Sequence, residues 1–466
     1  MATRHPPAAF DLVPFQNFSG NLNIGVIAFG GAKGETKIAI DRVDFSINNA
    51  PPVSITQATL NPQTMTVEYW VAINSANYTG DVIVSATAWN VFGESYAIPP
   101  ITLYPNPNGY VYPAPVVVSD QAALQAAIAS IPDVPGATIQ CTTGTYAIAG
   151  QGGANRPNKN WITVEAVPGD AVTIVAAPVV APAVKRMSLK ANRLRYVGTG
   201  LTMDSGQGYL NGIEAVWFDG CYTTSASSQW NPAPDADPSN PWRTNPGKGP
   251  NGNFAVYVTN CQSNHSIYGF PSCALVRGSA VNGITGDALQ KSSLVVNCTV
   301  INMAGNQTHH PDVYQTFGAM DNVIVYGLTY VNVIAQGIFL QPSTPATTPV
   351  GMMSNSAFVN ILSRPNDPKG VGSTQSPTTN SYYSQIQGPQ FNVLFDNWNT
   401  QDGAVLLVTG AGQNQLQATD VLFWDWTCHP KQNLTPVPGV SFGNYKIGVS
   451  ERLAYPGLAA IAPATV

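Results

Sequence analysis

The sequence predicts an all-β fold: a parallel β-helix with a capping helix at its start, preceded by a small β-sandwich. Three observations carry this prediction. A short pattern of strand, turn and strand repeats along the second half of the chain. The 466 residues include 42 glycines and 38 prolines, which indicates many turns, and only 10% of them are charged. One amphipathic helix is predicted ahead of the repeats.

Each repeat is a brief apolar strand, then Gly, Asn or Asp, then a small residue and a second strand. The turn residues are separated by 18 to 41 residues, so one coil takes roughly 20–30 residues once insertions are allowed for, a period typical of solenoids. Gly, Asn and Asp adopt the left-handed backbone of such bends at low cost. A β-sandwich with irregular hairpins is the alternative, but sandwiches favour strands about 8–12 residues apart. The predicted turn residues are Gly220, Asn260, Gly278, Asn297, Gly327, Asn355, Asp396 and Asp425.

Small residues follow several of these turns and should lie above one another inside the coils, because stacked coils share one core. Three of the six cysteines stand at such positions, and no two cysteines have the spacing of a metal-binding pair. The cysteines are therefore predicted to be reduced core thiols rather than disulfides. The predicted internal ladder consists of Cys221, Cys261, Ser279, Cys298 and Ser356.

Changes in composition divide the chain into five segments. Residues 1–19 form a proline-containing arm that either docks to a partner or frays, and residues 106–116 form a proline-rich linker. Residues 20–105 form the sandwich, residues 117–430 the β-helix, and residues 431–466 a terminal cap or docking tail. Because the capping helix begins the β-helix independently, we expect residues 107–466 to fold without the sandwich.

Apolar and polar residues alternate in the sandwich segment, as they do in strands with one buried face. The run from Tyr78 to Gly93 resembles the closing hairpin of bacterial and phage immunoglobulin-like modules. The resemblance implies an immunoglobulin-like sandwich that acts as a spacer or adhesive unit. Nothing in the segment suggests chemistry.

The capping helix is predicted to begin after Ser119, a good N-cap residue, and to end at Pro132. Its apolar stripe contains Leu124, Ala127 and Ile128. Such a helix can cover the open end of a solenoid, which would otherwise expose core and unpaired strand edges.

Two motifs follow the helix: Pro-Gly-Ala-Thr-Ile at 135–139 with Gly-Thr-Tyr at 144–146, and Ile-Thr-Val-Glu-Ala-Val-Pro-Gly at 162–169. With the helix, they resemble the N-terminal cap and first coils of right-handed parallel β-helices. These are the pectate-lyase-like, polysaccharide-active proteins and the phage tailspikes. The resemblance covers residues 117–430. Members often have an acidic residue after the first Pro-Gly, where this chain has Ala137, so the resemblance leaves the activity open.

Two long insertions interrupt the coils, at about 229–253 and 364–388. Loops of this length without regular structure are usually functional or disordered. Trp230, Trp242, Tyr382 and Tyr383 would give them flat apolar surfaces on which sugar rings stack. The alternative is that these loops only shield the core or contact a neighbouring subunit.

Three segments form the candidate site: residues 286–290, 311–315 and 336–341. If they share one register, Asp287 and Asp312 stack about 5 Å apart on adjacent coils, and two stacked carboxylates are costly without a cation or a shared proton. The predicted catalytic residues are His309, His310, Asp312, Asp287 and Lys291. The predicted substrate-binding residues are Gln290, Gln315, Gln341, Tyr314 and the four aromatic residues of the insertions.

The string His-His-Pro-Asp-Val-Tyr-Gln at 309–315 is similar to the His-x-Asp-x-x-Gln strings of some carbohydrate-active β-helix proteins. The similarity implies His310, Asp312 and Gln315 as the motif positions. A His or Lys could take the proton beside a uronate carboxylate in a lyase, or two carboxylates could hydrolyse a glycosidic bond. Binding without turnover and a purely structural ladder stay open. No cofactor is expected, and a Ca²⁺ site at the stacked carboxylates has no loop consensus behind it.

A net charge of −5 argues against nucleic acid as the main partner, and no apolar run is long enough to predict a membrane span. The first residues lack the apolar region of a signal peptide. We therefore expect a phage virion protein of the tail spike or fibre type, made in the host cytoplasm, that binds a bacterial surface polysaccharide and also could depolymerise it.

The expected partners are this polysaccharide, other virion proteins and further copies of the chain in a homotrimer. The trimer is expected because a low surface charge leaves apolar area along a solenoid, and such patches usually mark interfaces. One alternative is an exported, extracellular bacterial polysaccharide lyase or glycoside hydrolase. A second is a purely structural virion component without a ligand.

Overall fold

The computed structural model describes most of the two predicted regions. The described residues are 2–109, 112–147, 158–175, 186–188, 193–197, 201–204, 209–211, 215–223, 255–264, 269–284, 286–303, 312–331, 333, 336–342, 351–364, 382–400, 404–409, 415–428 and 432–447.

A β-sandwich forms the N-terminal region. Four strands in the order β1-β3-β9-β8 face five in the order β2-β11-β10-β6-β7, and β2 pairs with β11 in parallel. Alternate residues of β10, such as Val82 and Val84, point into the core between the sheets. The strands are β1 (Ala8–Phe10), β2 (Asn17–Phe18), β3 (Asn21–Ala28), β4 (Ala32–Lys33), β5 (Thr36–Lys37), β6 (Ile40–Ile47), β7 (Val53–Ile55), β8 (Thr59–Asn61), β9 (Thr66–Asn74), β10 (Val82–Asn90) and β11 (Ser95–Pro105), with a 3-10 turn at Ser75–Asn77.

A parallel β-helix follows, as predicted. Each strand of a coil pairs in parallel with its counterpart in the next coil, for example β23 with β25 and β25 with β27. A second parallel sheet, β29-β33-β35-β37, forms another wall of the later coils. The strands are β12 (Val116–Val118), β13 (Thr138–Cys141), β14 (Gly144–Ala147), β15 (Ile162–Ala166), β16 (Val172–Val175), β17 (Arg186–Ser188), β18 (Arg193–Val197), β19 (Leu201–Asp204), β20 (Tyr209–Asn211), β21 (Ala215–Asp219), β22 (Tyr222–Thr223), β23 (Ala255–Thr259), β24 (Gln262–Asn264), β25 (Leu275–Arg277), β26 (Ala280–Asn282), β27 (Leu294–Val296), β28 (Thr299–Ile301), β29 (Asp312–Phe317), β30 (Met320–Asp321), β31 (Ile324–Tyr326), β32 (Thr329–Val331), β33 (Gln336–Gln341), β34 (Met353–Arg364), β35 (Tyr382–Ile386), β36 (Pro389–Asn399), β37 (Ala404–Leu407), β38 (Gln417–Trp424), β39 (Thr427–Cys428), β40 (Val440–Gly443) and β41 (Lys446–Ile447).

The turns stack in columns of residues with positive φ. The first column, named here the outer column, contains Gly220, Asn260, Gly278, Asn297, Gly327, Asn360, Asn397, Asp425 and Asn444. Six of the eight predicted turn residues belong to it. Asn355 does not: it lies in a second column, the arm column, formed by Asn322, Asn355, Asn392, Asp420 and Gly439. Asp396 is not a turn residue: the left-handed turn lies one residue later, at Asn397, within the long strand β36. Both β34 and β36 run through both bends of their coils.

The small residues inside the coils form hydrogen-bonded ladders. The backbone N–H of Cys221 donates to Cys261 Sγ at 3.3 Å, and that of Cys261 donates to Ser279 Oγ at 3.1 Å. Ser356 belongs to the ladder beside the arm column instead, where it accepts from the N–H of Val323. All six cysteines are buried free thiols, as predicted. Burial raises the pKa of Cys298 to about 12, which keeps this thiol protonated and unreactive.

The capping helix α1 spans Gln121–Ser130. Its N-cap is Asp120, one residue after the predicted Ser119, because the Asp120 carboxylate accepts the N–H of Ala123 at 2.8 Å. Leu124, Ala127 and Ile128 pack onto the first strands of the solenoid. The helix therefore lies at the end of the β-helix core.

Two segment boundaries differ from the prediction. Residues of the predicted arm form β1 and β2 of the sandwich, so the arm proper ends at about residue 7. Residues of the predicted C-terminal tail form β40 and β41, which pair with β38 and β39 and extend the β-helix to Ile447. The described part of the chain contains no helix that is long and apolar enough to cross a membrane.

The sandwich is docked along the side of the β-helix. Val13 and Ile27 from the sandwich side pack against Trp161, Leu275 and Leu294 of the coils in a separate apolar cluster. The indole N–H of Trp161 donates to the carbonyl of Pro14 at 3.0 Å. The two regions are therefore joined by a packed interface as well as by the linker.

Candidate functional site

Asp287 and Asp312, the two predicted carboxylates, lie where adjacent coils meet. The N–H of Asp312, at the start of β29, donates to Asp287 Oδ1 at 3.0 Å. The N–H of Ala288 donates in turn to the carbonyl of Asp312 at 2.9 Å. The predicted register between these two coils is therefore present, and it brings the two aspartates together.

Gln290 connects the aspartate and glutamine positions. Its side-chain amide donates to Asp287 Oδ2 at 2.8 Å and lies 3.3 Å from Gln315 Oε1. The next residue, Lys291, takes a left-handed backbone with φ of 56° and donates its N–H to the carbonyl of Gln315. The side chains of Asp287, Gln290 and Gln315 thus form one hydrogen-bonded column across two coils, named here the Asp–Gln column.

The residues of the Asp–Gln column and their neighbours Asp312 and Lys291 differ in solvent exposure. Asp312 is completely buried, whereas Asp287 is 6% exposed and Gln290 and Lys291 are half-buried. Both carboxylate oxygens of Asp287 accept hydrogen bonds from neighbouring coil atoms. Among the described residues of the candidate site, Gln290 and Lys291 are the most exposed, and Asp287 keeps a small exposed part.

Other predicted site residues lie elsewhere. Tyr314 is fully buried in the core, donates its hydroxyl to the carbonyl of Ser292 at 2.8 Å and meets the ring of Phe358 edge-on. This position does not fit a substrate-binding role. Gln341 pairs with Phe317 rather than with Gln315, whose partner is Phe339, so Gln341 is two residues out of the glutamine column.

Several predicted residues cannot be placed. His309, His310, Trp230 and Trp242 lie outside the described residues. Tyr382 and Tyr383 lie on β35, but their side chains lie outside the described part of the structure. The described residues contain no group of three or more His, Cys, Asp or Glu side chains that could hold a metal ion.

Sequence reasoning missed the binding of the N-terminal arm by the arm column. Asn322 exchanges two hydrogen bonds with the backbone of Ala8, at 2.8 and 2.9 Å. The N–H of His5 donates to Asn355 Oδ1 at 3.1 Å, and Asn392 Nδ2 donates to the carbonyl of His5 at 3.0 Å. The arm is thus recognised through its backbone. A signal was present, because the separations of 33 and 37 residues between these asparagines repeat those of Gly327, Asn360 and Asn397 in the outer column.

Charged contacts reinforce the arm. Arg4 forms an ion pair with Asp420 and a hydrogen bond with the carbonyl of Ala32. The ring of His5 stacks on Tyr96 and lies 3.1 Å from the carboxylate of Asp321. Burial raises the pKa of Asp321, but hydrogen bonds from His5 and neighbouring coil residues outweigh it, so that the net shift is downward.

Comparison with known proteins adds little to these observations. No protein-family model matches the chain, and no curated protein matches it by sequence. Among solved structures, a family 28 exopolygalacturonase from Yersinia enterocolitica is similar over 96% of this chain and 97% of its own, with 10% identity and a TM-score of 0.33. A likeness this weak carries no argument about activity.

Proposed function

We propose that this protein binds a bacterial surface polysaccharide on the outside of its β-helix, at the Asp–Gln column. The supporting observation is the connected set of Asp287, Gln290 and Gln315, with Lys291 beside it. Carboxylate oxygens accept hydrogen bonds, and amides both donate and accept, which suits sugar hydroxyls that also do both. Lys291 follows Gln290 in the chain and so brings a cationic residue to the same turn, which suits an acidic sugar.

Turnover is the second part of the proposal, and it rests on Asp287 rather than Asp312. A general acid or base has to reach the proton that it transfers. Asp312 is completely buried, so its expected role is to hold the Asp287 carboxylate through its own N–H. His309 and His310 stay candidates for the base of a lyase, on sequence grounds alone.

We also infer a phage virion of the tail spike or fibre type as the setting, with the sandwich as an immunoglobulin-like adaptor. The strand order of the two sheets supports the adaptor assignment, since immunoglobulin domains place strands A, B, E and D in one sheet. The order β1-β3-β9-β8 corresponds to this when β2 and the β4–β5 hairpin are left out and β7 is taken as an added C′ strand. Six buried free thiols favour folding in a reducing cytoplasm over secretion. The rivals are an exported polysaccharide lyase or hydrolase, and a structural virion component without a ligand.

Binding and turnover can be measured on the full chain with a panel of bacterial capsule and uronate polymers. Reducing-sugar release reports hydrolysis, and ultraviolet absorbance of unsaturated products reports a lyase. In the variant Gln290→Ala, affinity should fall by about tenfold, since a hydrogen bond to a charged or polar ligand contributes about 1.5 kcal/mol. In Asp287→Asn, turnover should fall by at least about 10²-fold, the usual contribution of a general acid or base.

The matched control is Asp170→Asn, the same substitution in the first coils, far along the chain from the Asp–Gln column. It should change neither affinity nor turnover. Loss of binding in the control alone would move the site towards the capping end. If no polymer binds, or if binding survives in Gln290→Ala and Asp287→Asn with unchanged affinity, the Asp–Gln column is a structural ladder. Light scattering on the same samples tests the homotrimer.

A further inference from the structure

Two acidic side chains are buried where the sandwich meets the β-helix. Glu68 of β9 is 1% exposed, and Asp11, which follows β1, is 0% exposed. Both lie near Arg277 of β25, whose guanidinium donates to the carboxylate of Asp11 at 3.4 Å and to its backbone carbonyl at 3.1 Å. Arg277 belongs to the β-helix and both acids to the sandwich side, so this cluster spans the interface.

Within the described part of the chain, hydrogen bonds reach only one of the two carboxylate oxygens of Glu68. Glu68 Oε1 accepts from Asn61 Nδ2 at 2.6 Å and from Thr64 Oγ1 at 2.7 Å. Glu68 Oε2 is also buried, and within the described residues it has no hydrogen-bond partner. The carboxyl group occupies space that Gly25 leaves open, since a Cβ on that residue would lie 2.0 Å from the carboxyl carbon. Two buried carboxylates therefore face a single guanidinium, and burial of a surplus charge is strongly unfavourable.

We propose that Glu68, Asp11 and Arg277 form a proton-operated latch, which holds the sandwich on the β-helix while the two acids share one proton and loosens when that proton leaves. The protonated acid is Glu68, because Asp11 has the guanidinium as its partner. A neutral Glu68 carries a hydrogen atom but no charge, so the interface then holds one ion pair. Loss of the proton leaves two negative groups beside one positive group.

The electrostatic surroundings agree with this arrangement. Burial, followed by the charge of Asp11, raises the pKa of Glu68 to about 8. Burial likewise raises the pKa of Asp11 to about 6, although Arg277 opposes it. Among the described residues, the phenol of Tyr326 on β31 interacts with Glu68, and the thiol of Cys298 in the core interacts with Asp11. Tyr69, Lys37 and Asp396 line the same cavity of about 330 Å³ as Glu68, between the two regions.

The direction of the pH effect follows from linkage. The pKa of Glu68 is raised in the docked state, so its contribution to docking is complete below its ordinary value of 4.5 and is lost as the pH rises through about 8. Asp11 acts in the same sense at lower pH. Between pH 5 and pH 9, the opening equilibrium of the interface should rise by at least about tenfold.

Hydrogen–deuterium exchange of the full chain between pH 5 and pH 9, corrected for intrinsic rates, measures this opening. The amides of Ala8 and Ala32 donate across the interface, to Asn322 and Asn392, and should lose protection as the pH rises. Amides of β28, which pairs with β26 and β32 of the neighbouring coils, should keep it. The variant Glu68→Gln keeps the shape without the titration and should flatten the dependence. The control Glu35→Gln makes the same change at an exposed position and should behave as the wild type.

A second variant guards against failure of Glu68→Gln to fold. In Asp11→Asn, Glu68 no longer faces a like charge and gains Arg277 as a partner, so its pKa should fall towards its ordinary value and the loss of protection between pH 5 and pH 9 should become smaller. A wild type with flat protection from pH 5 to pH 9 would overturn the latch, as would a pH slope that survives in Glu68→Gln. The experiment requires no polysaccharide, so its outcome is independent of the proposed binding site.

Discussion

Asn392→Ala tests whether the arm column holds the N-terminal arm in place. Asn392 is completely buried and lies at a left-handed turn with φ of 52°. Its side chain makes three hydrogen bonds: to the carbonyl of His5 at 3.0 Å, from the N–H of Ala32 at 2.8 Å, and to Asn355 Oδ1 at 2.8 Å. One amide therefore joins the arm, the sandwich and the next coil.

The expected loss can be estimated from these contacts. Truncation leaves the carbonyl of His5 and the N–H of Ala32 buried without this partner, and each such group costs about 1–3 kcal/mol. Asn355 Oδ1 keeps the N–H of His5. Alanine at a left-handed turn adds about 1 kcal/mol. We therefore expect Asn392→Ala to lower the free energy of unfolding by about 3–7 kcal/mol.

The matched control is Asn397→Ala on the same strand. Asn397 has nearly the same backbone, with φ of 49°, but it is half-buried and its side chain bonds to Asn360 in the outer column, away from the arm. Its loss should cost about 1–2 kcal/mol. The difference between the two variants isolates arm binding from the shared cost of the turn.

Two assays separate these outcomes. Urea denaturation gives the difference in stability, and limited trypsin digestion reports release of the arm at Arg4, whose side chain is 12% exposed in the docked state. Cleavage after Arg4 should be at least about tenfold faster in Asn392→Ala than in Asn397→Ala, because cleavage of an opened segment follows its population. Equal destabilisation of the two variants with equal cleavage at Arg4 would refute binding of the N-terminal arm by the arm column.

Two other predictions follow from the core. Phe395 is completely buried, with ring centroids 4.6 Å from Phe423 and 5.1 Å from both Phe358 and Trp398, so Phe395→Ala should lose about 3–5 kcal/mol in urea denaturation. The control Phe92→Ala, at a side chain that is 54% exposed, should leave the free energy of unfolding nearly unchanged. Equal denaturation midpoints for the two variants would contradict the packing role of Phe395. Alkylation under denaturing, non-reducing conditions should modify six cysteines and native alkylation almost none, whereas protected pairs would indicate disulfides.

Much of the β-helix could be predicted because local chemistry sets it. The αL positions require Gly, Asn or Asp, and these residues recur with small residues behind them, which located Gly220, Asn260, Asn297 and the cysteine ladder. Asn355 is a left-handed turn residue as predicted, but it belongs to the arm column. The other error arose where two such residues are neighbours. Both Asp396 and Asn397 suit a bend, and only pairing with the adjacent coil decides between them.

For the candidate site, the sequence predicted the register between neighbouring coils but not the direction of each side chain. Matching strings placed Asp287 beside Asp312, because one register relates neighbouring coils. The direction of each side chain could not be read in the same way: Tyr314 points into the core, although its neighbour Gln315 bonds to Gln290 in the Asp–Gln column. The buried acids Glu68 and Asp11 gave no sequence signal, since alternation in β9 predicts exposed polar positions and the sandwich covers them by docking on another region.

Docking of the sandwich also changes what the apolar surface of the solenoid implies. Ile27 and its neighbours cover outward-facing Leu275, Leu294 and Ile324 of successive coils, so part of the surface that suggested a trimer is used within the chain. A chain shortened to residues 107–466 should therefore keep the β signal in circular dichroism but expose a stripe of apolar side chains. Such a patch favours self-association. We expect it to bind a hydrophobic dye and to elute as larger species than the full chain at the same concentration. A shortened chain that is monodisperse and silent with the dye would show that the interface adds little to the solenoid.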